Sequence, residues 1–222
     1  MVIAIDGPGG AGKSTVARAV ADLLGLEHLD TGATYRAATL AALRAKVDAD
    51  DAAAVLRAVS ESDIEYLDGI IHLDGSPVAA AVRGEEVNAA VSAVSAHPEV
   101  RKVIVAGQRD WVADRGGSAV VEGRDIGTVV FPDAAVKVFI TARSEIRAAR
   151  RAGDAEAADK AVGEIEADLA RRDHFDSTRV ASPLRPAEDA VVIDTSEMGV
   201  AEVTRLVMEL VYERRPGLRP GP

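Results

Sequence analysis

Nine consecutive residues, Gly7-Pro8-Gly9-Gly10-Ala11-Gly12-Lys13-Ser14-Thr15, carry the spacing G-x-x-x-x-G-K-[ST]. The apolar run Val2-Ile3-Ala4-Ile5 leads into them and helix-compatible residues follow. Glycines at these positions let backbone N–H groups turn inward around phosphate oxygens. The Lys13 ammonium can then reach the β- and γ-phosphates, and the Ser14 hydroxyl can ligate Mg²⁺. The run reads as the binding loop for a nucleoside triphosphate, against the plainer alternative of a glycine-rich turn that holds no ligand.

Three further constellations could join it. Leu29-Asp30-Thr31-Gly32-Ala33-Thr34-Tyr35-Arg36 ends a strand and opens a helix. Asp30 or Thr31 could simply cap that helix. Arg36, one turn in, would point to the same sheet edge as the glycine loop, where a second phosphate-bearing ligand could sit. Glu122-Gly123-Arg124-Asp125-Ile126-Gly127 is a second strand end. Its glycines permit a tight turn that presents Arg124 and Asp125 to a cleft, while a buried ion pair closing the turn remains the alternative. The last is Arg171-Arg172-Asp173-His174-Phe175-Asp176-Ser177-Thr178-Arg179, followed by Ser182-Pro183-Leu184 and preceded by Arg147, Arg150 and Arg151. Phosphoryl transfer needs cations around the equatorial oxygens and little covalent help, and these arginines meet that need. The acidic residues between them, Asp154 through Asp168, also allow a solvated helix of alternating charge, so any single arginine could be a surface residue.

Composition narrows the classes. The 222 residues are 48% hydrophobic, enough for a buried core, and carry a formal net charge of −10. That charge argues against nonspecific binding to nucleic acid or to an anionic membrane, both of which need an extended basic face. The absence of cysteine excludes disulfides, thiolate metal sites and a catalytic thiol. With no apolar run of membrane-spanning length and no signal-peptide pattern, the chain is expected to be soluble and cytoplasmic.

The elements that must position these residues alternate. Five short β-branched runs, Val2 to Asp6, Glu27 to Asp30, Ser118 to Glu122, Val136 to Thr141 and Ala190 to Asp194, are expected to form a parallel sheet. Helical patterns lie near 13–24, 33–45, 86–114, 144–172 and 199–214, and the Ala-rich tract around 37–58 reads as a helix pair. Each strand runs into a polar residue, which places a site at the carboxyl edge of the sheet. Residues 62–80 break the rhythm. Asp63 to Leu67 and Ile70 to Leu73 flank Asp68-Gly69, and a second turn at Asp74-Gly75 leads to a short strand near Val78, a small β insertion into an α/β core.

Taken in order, G-P-G-G-A-G-K-S-T, D-T-G-A-T-Y-R, E-G-R-D-I-G-T-V-V-F-P-D and R-D-x-x-D-S-x-R-x-x-S-P-L resemble the bacterial cytidylate kinases, over Val2 to about Tyr212. The resemblance implies the P-loop nucleoside monophosphate kinase fold, a five-stranded parallel sheet flanked by helices with a small antiparallel β insertion and an arginine-rich lid. It implies one domain over 1–222, with a core of 1–61 and 98–222, a lid at about 150–182, and an acceptor-side insertion with its following helix at 62–97. The implied reaction moves the γ-phosphate of ATP to CMP or dCMP, giving CDP or dCDP and ADP, with Mg²⁺ at Ser14.

Residue by residue, the resemblance puts Thr31 and Arg36 near the acceptor nucleotide and Ser92, Arg101 and Asp125 on its cytosine. Arg124 and Arg179 match acceptor-phosphate or transfer-region arginines, Arg172 and Asp176 match residues that reach the ribose, and Arg151 approaches the ATP phosphates. The implied catalytic set is Lys13, Arg124, Arg151 and Arg179. Cytosine offers an amino donor at N4 and acceptors at N3 and O2, so a carboxylate, a hydroxyl and a guanidinium complement it. His174, Phe175 and Ala89 depart from residues found in some relatives. The expected partners are small-molecule substrates, without nucleic acid or membrane, and the expected state is a monomer. Other P-loop kinases, acting on UMP, shikimate, gluconate or dephospho-coenzyme A, are the nearest rivals. A GTP switch lacks an [NT]KxD motif here, and a noncatalytic nucleotide-binding module leaves Lys13 and the arginine-rich segment unexplained.

Overall fold

The computed structural model describes residues 1–153 and 161–219. Its centre is a five-stranded parallel sheet in the order β2-β6-β1-β7-β8, formed by His28–Asp30, Ala119–Gly123, Val2–Asp6, Val136–Thr141 and Val191–Asp194. All five expected strands are present, trimmed or shifted by a residue at three of them. Alternation along the strands sends Ile3, Ile5, Val120, Val138 and Ile140 to one face. There α1 (Lys13–Leu24) and α8 (Val200–Arg214) cover them with Val16, Val20, Val207 and Val211. Ala4, Ala119 and Val121 face the other way, against α2 (Thr31–Arg44).

The β insertion is also present. Strands β3 (Ile64–Leu67), β4 (Ile70–Leu73) and β5 (Ser76–Pro77) form an antiparallel sheet. Asp68 and Gly69 have φ of 50° and 76°, and Asp74 and Gly75 have 52° and 71°, the left-handed pairs that tight hairpins demand. The third strand ends at Pro77, just before Val78. Tyr66, Ile71 and Leu73 share a core cluster with α2, which fastens the insertion to the body.

Two expected helices are divided. The run at 86–114 is broken at His97-Pro98 into α4 (Glu85–Ala96) and α5 (Pro98–Ala113). Pro98 has no N–H to continue α4 and holds His97 extended, at φ −67° and ψ 117°, while its own fixed φ suits the first position of a new helix. The run at 144–172 is α6 (Ser144–Ala152) and then α7 (Val162–Thr178), which continues past the expected end, and the two pack together through Ala148, Ile165 and Leu169. Residues 154–160 of the expected lid lie outside the described residues. The helix pair in the Ala-rich tract is α2 with α3 (Ala52–Ser60), and α2 begins at Thr31 because Asp30 Oδ1 accepts from Ala33 N at 3.1 Å.

Two glycines separate conformational from steric need. A Cβ on Gly7, where φ is +147°, would lie 1.9 Å from the Ile140 carbonyl oxygen, whereas one on Gly25, at φ +63° past the end of α1, would meet nothing within 4 Å. Gly25→Ala is expected to cost about 1 kcal/mol and Gly7→Ala more than about 4 kcal/mol in urea unfolding. Comparable losses for the two would contradict this account of the β1–β7 contact.

Candidate active site

The glycine loop leaves β1 and enters α1 through left-handed residues, Gly10 at φ 75° and Gly12 at 92°. Lys13 is the first residue of α1, 8% exposed, and its Nζ donates to the Pro8 carbonyl at 2.8 Å. Burial, then the nearby charges of Arg124 and Arg172, push its ammonium down to about 7, while Glu122 and Asp30 act in the other direction. Ser14 Oγ donates to Glu122 Oε2 at 2.8 Å, and Glu122 Oε1 lies 3.0 Å from His28 Nε2. Burial works against the ionised Glu122. Even so, the His28 hydrogen bond, the Lys13 charge and the Ser14 hydroxyl hold its carboxyl below the usual range. Behind the loop, the carbonyls of Gly7, Gly9 and Ala11 accept from Arg124 Nη1 at 2.8 Å, Arg147 Nη1 at 3.1 Å and Thr195 Oγ1 at 3.2 Å.

A cavity of about 250 Å³ opens from Gly9, Gly10, Lys13 and Ser14 toward α2, α5 and α7. Thr31, Arg36, Arg101, Arg124, Asp125, Arg151, Arg172, Asp176 and Arg179 also line it, so every candidate site residue outside the glycine loop except Ser92 meets there. Gly7, Pro8, Ala11 and Gly12 shape the loop from behind, and Thr15 is exposed. Ser92 is placed elsewhere. It lines an adjoining groove between α4 and α7 that shares Arg151 and Arg172 with the cavity, while Val91 and Ser95 of the same helix face the cavity itself.

At the far end from the loop, Arg101 Nη2 lies 2.5 Å from Asp125 Oδ2, and Arg101 Nη1 donates to the Ser95 carbonyl at 3.2 Å. The Arg101 guanidinium sits 4.9 Å over the Tyr35 ring. Arg179 approaches Asp125 at 3.8 Å and Asp176 at 3.5 Å, its Nε donating to the Ser182 carbonyl at 2.6 Å. Arg124 Nε donates to Asp176 Oδ2 at 2.9 Å. Arg124 thus pairs with Asp176 and Asp125 with Arg101 and Arg179, all outside their own turn, and these pairs line the cavity. Tyr35 Oη, Arg101 Nε and Arg179 Nη2 are buried here with no hydrogen-bond partner among the described residues, although Arg179 Nη2 lies 3.8 Å from Asp125 Oδ1. Thr31 Oγ1 donates to the Glu122 carbonyl at 2.6 Å, and Arg36 Nη1 donates to Val82 O at 3.0 Å and Asn88 Oδ1 at 2.7 Å. Burial, then Arg124 and Arg36, push Arg172 down to about 9.

The arginine-rich segment sorts by position. Arg147 is buried, donates to the Ala142 carbonyl and pairs with Asp173, tying α6 to the loop and to α7. Arg150 donates to Thr195 O at 2.6 Å, and Arg171 is exposed beside Asp168. Arg151, Arg172 and Arg179 face the cavity. Sequence reading did not single out Arg18, Arg83 or Tyr35, which line it too. Arg18 follows Ser14 by four positions on α1, a spacing that would have placed the two on one helix face. Nothing local marks Arg83, which the insertion carries in.

The cytidylate kinase family model matches residues 3–213. The chain belongs to the cytidylate kinase family. It is 50% identical to a cytidylate kinase of Mycobacterium leprae over 96% of both chains. It is also 51% identical to one of Nocardia farcinica, over 96% of this chain and 94% of that one. Among solved structures, an uncharacterized protein from Eubacterium ventriosum superposes with a TM-score of 0.50 at 13% identity, over 95% of this chain and 98% of that one, a likeness of fold alone. Cytidylate kinases are nucleoside monophosphate kinases, and this chain's cavity extends beyond the glycine loop to Arg101 and Asp125.

Lys13 gives the site a pH signature. Its folded pKa near 7 lies below the ordinary 10.5, so the burial penalty on the ammonium is felt at neutral pH and relieved as pH rises from about 7 toward 10.5. Phosphates that pair with Lys13 reverse the shift. Binding of ATP at pH 7.5 is therefore expected to take up a proton, read as a dependence of calorimetric heat on buffer ionisation enthalpy that Lys13→Met largely removes. Buffer-independent heats in the wild type would contradict the buried, partly neutral Lys13.

Proposed function

We propose that this cavity transfers the γ-phosphate of ATP to CMP or dCMP, giving ADP and CDP or dCDP. The observation that carries the reading is the Arg101–Asp125 pair with its unpartnered neighbours, at the far end of a cavity that begins at the phosphate loop. A cytosine amino group donates to Asp125, and the ring N3 and O2 accept from Arg101 and the Tyr35 hydroxyl. Uracil has a carbonyl in place of the amino group and would face a carboxylate with an acceptor. That mismatch disfavours UMP, the nearest rival acceptor.

In this reading Arg36 and Arg124 take the acceptor phosphate with Thr31 close by, and Arg172 and Asp176 meet the ribose. Arg151, with Arg179, follows the transferring group from the opposite wall. Ser92 reaches the base only if α4 turns toward the cavity. An acceptor phosphate oxygen is already a competent nucleophile, so alignment and charge neutralisation carry the rate without a separate base. Lys13 donates its hydrogen bonds to the bridging and γ-phosphate oxygens instead of to Pro8. The Ser14 hydroxyl and the Glu122 carboxylate are hard oxygen donors beside the loop, a set that fits Mg²⁺. When bound, the ion neutralises charge on the β- and γ-phosphates.

Residues 1–61 and 98–222 act as the core and 62–97 as the acceptor-side insertion. The segment at about 150–182, of which 154–160 lie outside the described residues, closes as a lid that keeps water from the donor phosphate. The protein works as a cytoplasmic monomer without nucleic acid or membrane. The net charge of −10 disfavours polyanionic partners, and no described helix is long and apolar enough to cross a membrane.

An ADP-release assay across all nucleoside monophosphates tests the reading. CMP and dCMP are expected to exceed UMP in kcat/KM by about 10²-fold or more. Asp125→Asn, which replaces an acceptor with a donor, should narrow that gap. Equal rates with CMP and UMP would overturn the assignment of the base end. Lys13→Met should lower turnover by several orders of magnitude with CMP affinity near wild type by calorimetry. Lost CMP affinity with normal turnover would reverse the two ends of the cavity.

A further inference from the structure

Asp125 occupies the N-cap position of a π-helical turn, Ile126–Val130, yet its side chain caps nothing. Elsewhere in the chain, aspartates at that position behave ordinarily. Asp30 Oδ1 accepts from Ala33 N at 3.1 Å to open α2, and Asp51 Oδ1 accepts from Ala54 N at 3.0 Å to open α3. The first two amides of the π turn are satisfied from another element. Asp6, the last residue of β1, accepts from Ile126 N through Oδ1 and from Gly127 N through Oδ2, both at 2.8 Å. Parallel pairing sets Asp6 opposite Gly123, which brings its carboxylate under the turn, and Asp6 is only 4% exposed. One residue later, Gly7 O accepts from Arg124 Nη1 at 2.8 Å, so the end of β1 grips both sides of Asp125.

From this geometry we infer that Asp6 is a positioning residue for base choice: by capping the π turn in trans, it frees the Asp125 carboxylate to face the cavity. Without Asp6, Gly127 N, the second amide of the turn and so within reach of an N-cap side chain, would lose its acceptor and draw the Asp125 carboxylate, because buried N–H groups without partners are costly. With both amides taken, the Asp125 carboxylate lies instead 2.5 Å from Arg101 and 3.8 Å from Arg179. Asp6 remains there against resistance. Burial pushes its carboxyl up to about 6, the two amides oppose that push, and the charge of Asp125 adds to it. The inference rests on the reading that Asp125 accepts from the cytosine amino group, and it adds a residue at the start of the phosphate loop to the apparatus that reads the acceptor.

The test is a double-mutant cycle on the CMP to UMP ratio of kcat/KM, with thermal unfolding measured alongside. Asp6→Ala is expected to lower the ratio at least about tenfold, and Asp6→Asn, which keeps one acceptor, to lower it less. In an Asp125→Ala background, Asp6→Ala should leave the remaining ratio unchanged, because no carboxylate is left to redirect. Should Asp6→Ala fail to fold, Asp6→Asn alone and in the Asp125→Ala background supplies the same comparison. An Asp6 variant with a reduced Tm but a wild-type ratio would make Asp6 a scaffold residue and overturn the inference, as would an equal fall in ratio with and without the Asp125 side chain. A wild-type enzyme that does not prefer CMP would instead sink the base reading itself, a result distinct from a preference that survives in Asp6→Ala.

Discussion

Among the described residues, nine cationic side chains line one cavity in a chain whose net charge is −10, and four carboxylates among them hold the concentration together. Like charges brought this close repel strongly in a partly buried setting. Asp125 answers Arg101 and Arg179, Asp176 answers Arg124 and Arg179, and Glu122 sits beside Lys13. The balance stays short of neutral, and that shortfall attracts phosphates. Burial first, and then the neighbouring arginines, depress the pKa values of Lys13 and Arg172.

The parallel sheet makes the convergence possible. Register pairs Asp6 with Gly123 and Asp30 with Glu122, so three strands end together and their loops rise on one side. One edge therefore carries both candidate segments, with the glycine loop leaving β1 and the Arg124–Asp125 turn leaving its neighbour β6. Side chains that cross between these loops, Arg124 to Gly7 and Ser14 to Glu122, lock the two loops into a common frame. Rigid placement of two reactants is the main contribution a protein can make to phosphoryl transfer, since the chemistry needs little else.

Charge patterning alone would treat the arginine-rich segment as uniform. Packing divides it into residues that brace the loop from behind, such as Arg147 and Arg150, a solvated residue in Arg171, and three that face the cavity. The distinction comes from the faces that α6 and α7 turn toward each other through Ala148, Ile165 and Leu169. Ser92 illustrates the same limit on α4, where the choice between Ser92 and Ser95 depends on the rotation of the helix about its axis.

The sequence by itself determined what is local. The phosphate loop follows from the spacing of its glycines and Lys13, the hairpins from Asp-Gly pairs that accept positive φ, and the five strands from short β-branched runs ending in polar residues. The break at His97-Pro98 was also written locally, in the missing N–H of Pro98, although helical periodicity on both sides concealed it. Tertiary structure alone decided which groups meet across more than a hundred residues: Asp6 with the amides of Ile126 and Gly127, and Ser14 with Glu122. Such partners are chosen by strand register and side-chain direction, and burial makes each choice costly to leave unmade. For that reason Asp125 was visible as a candidate from its turn, but the cause of its freedom to act lay on a different strand.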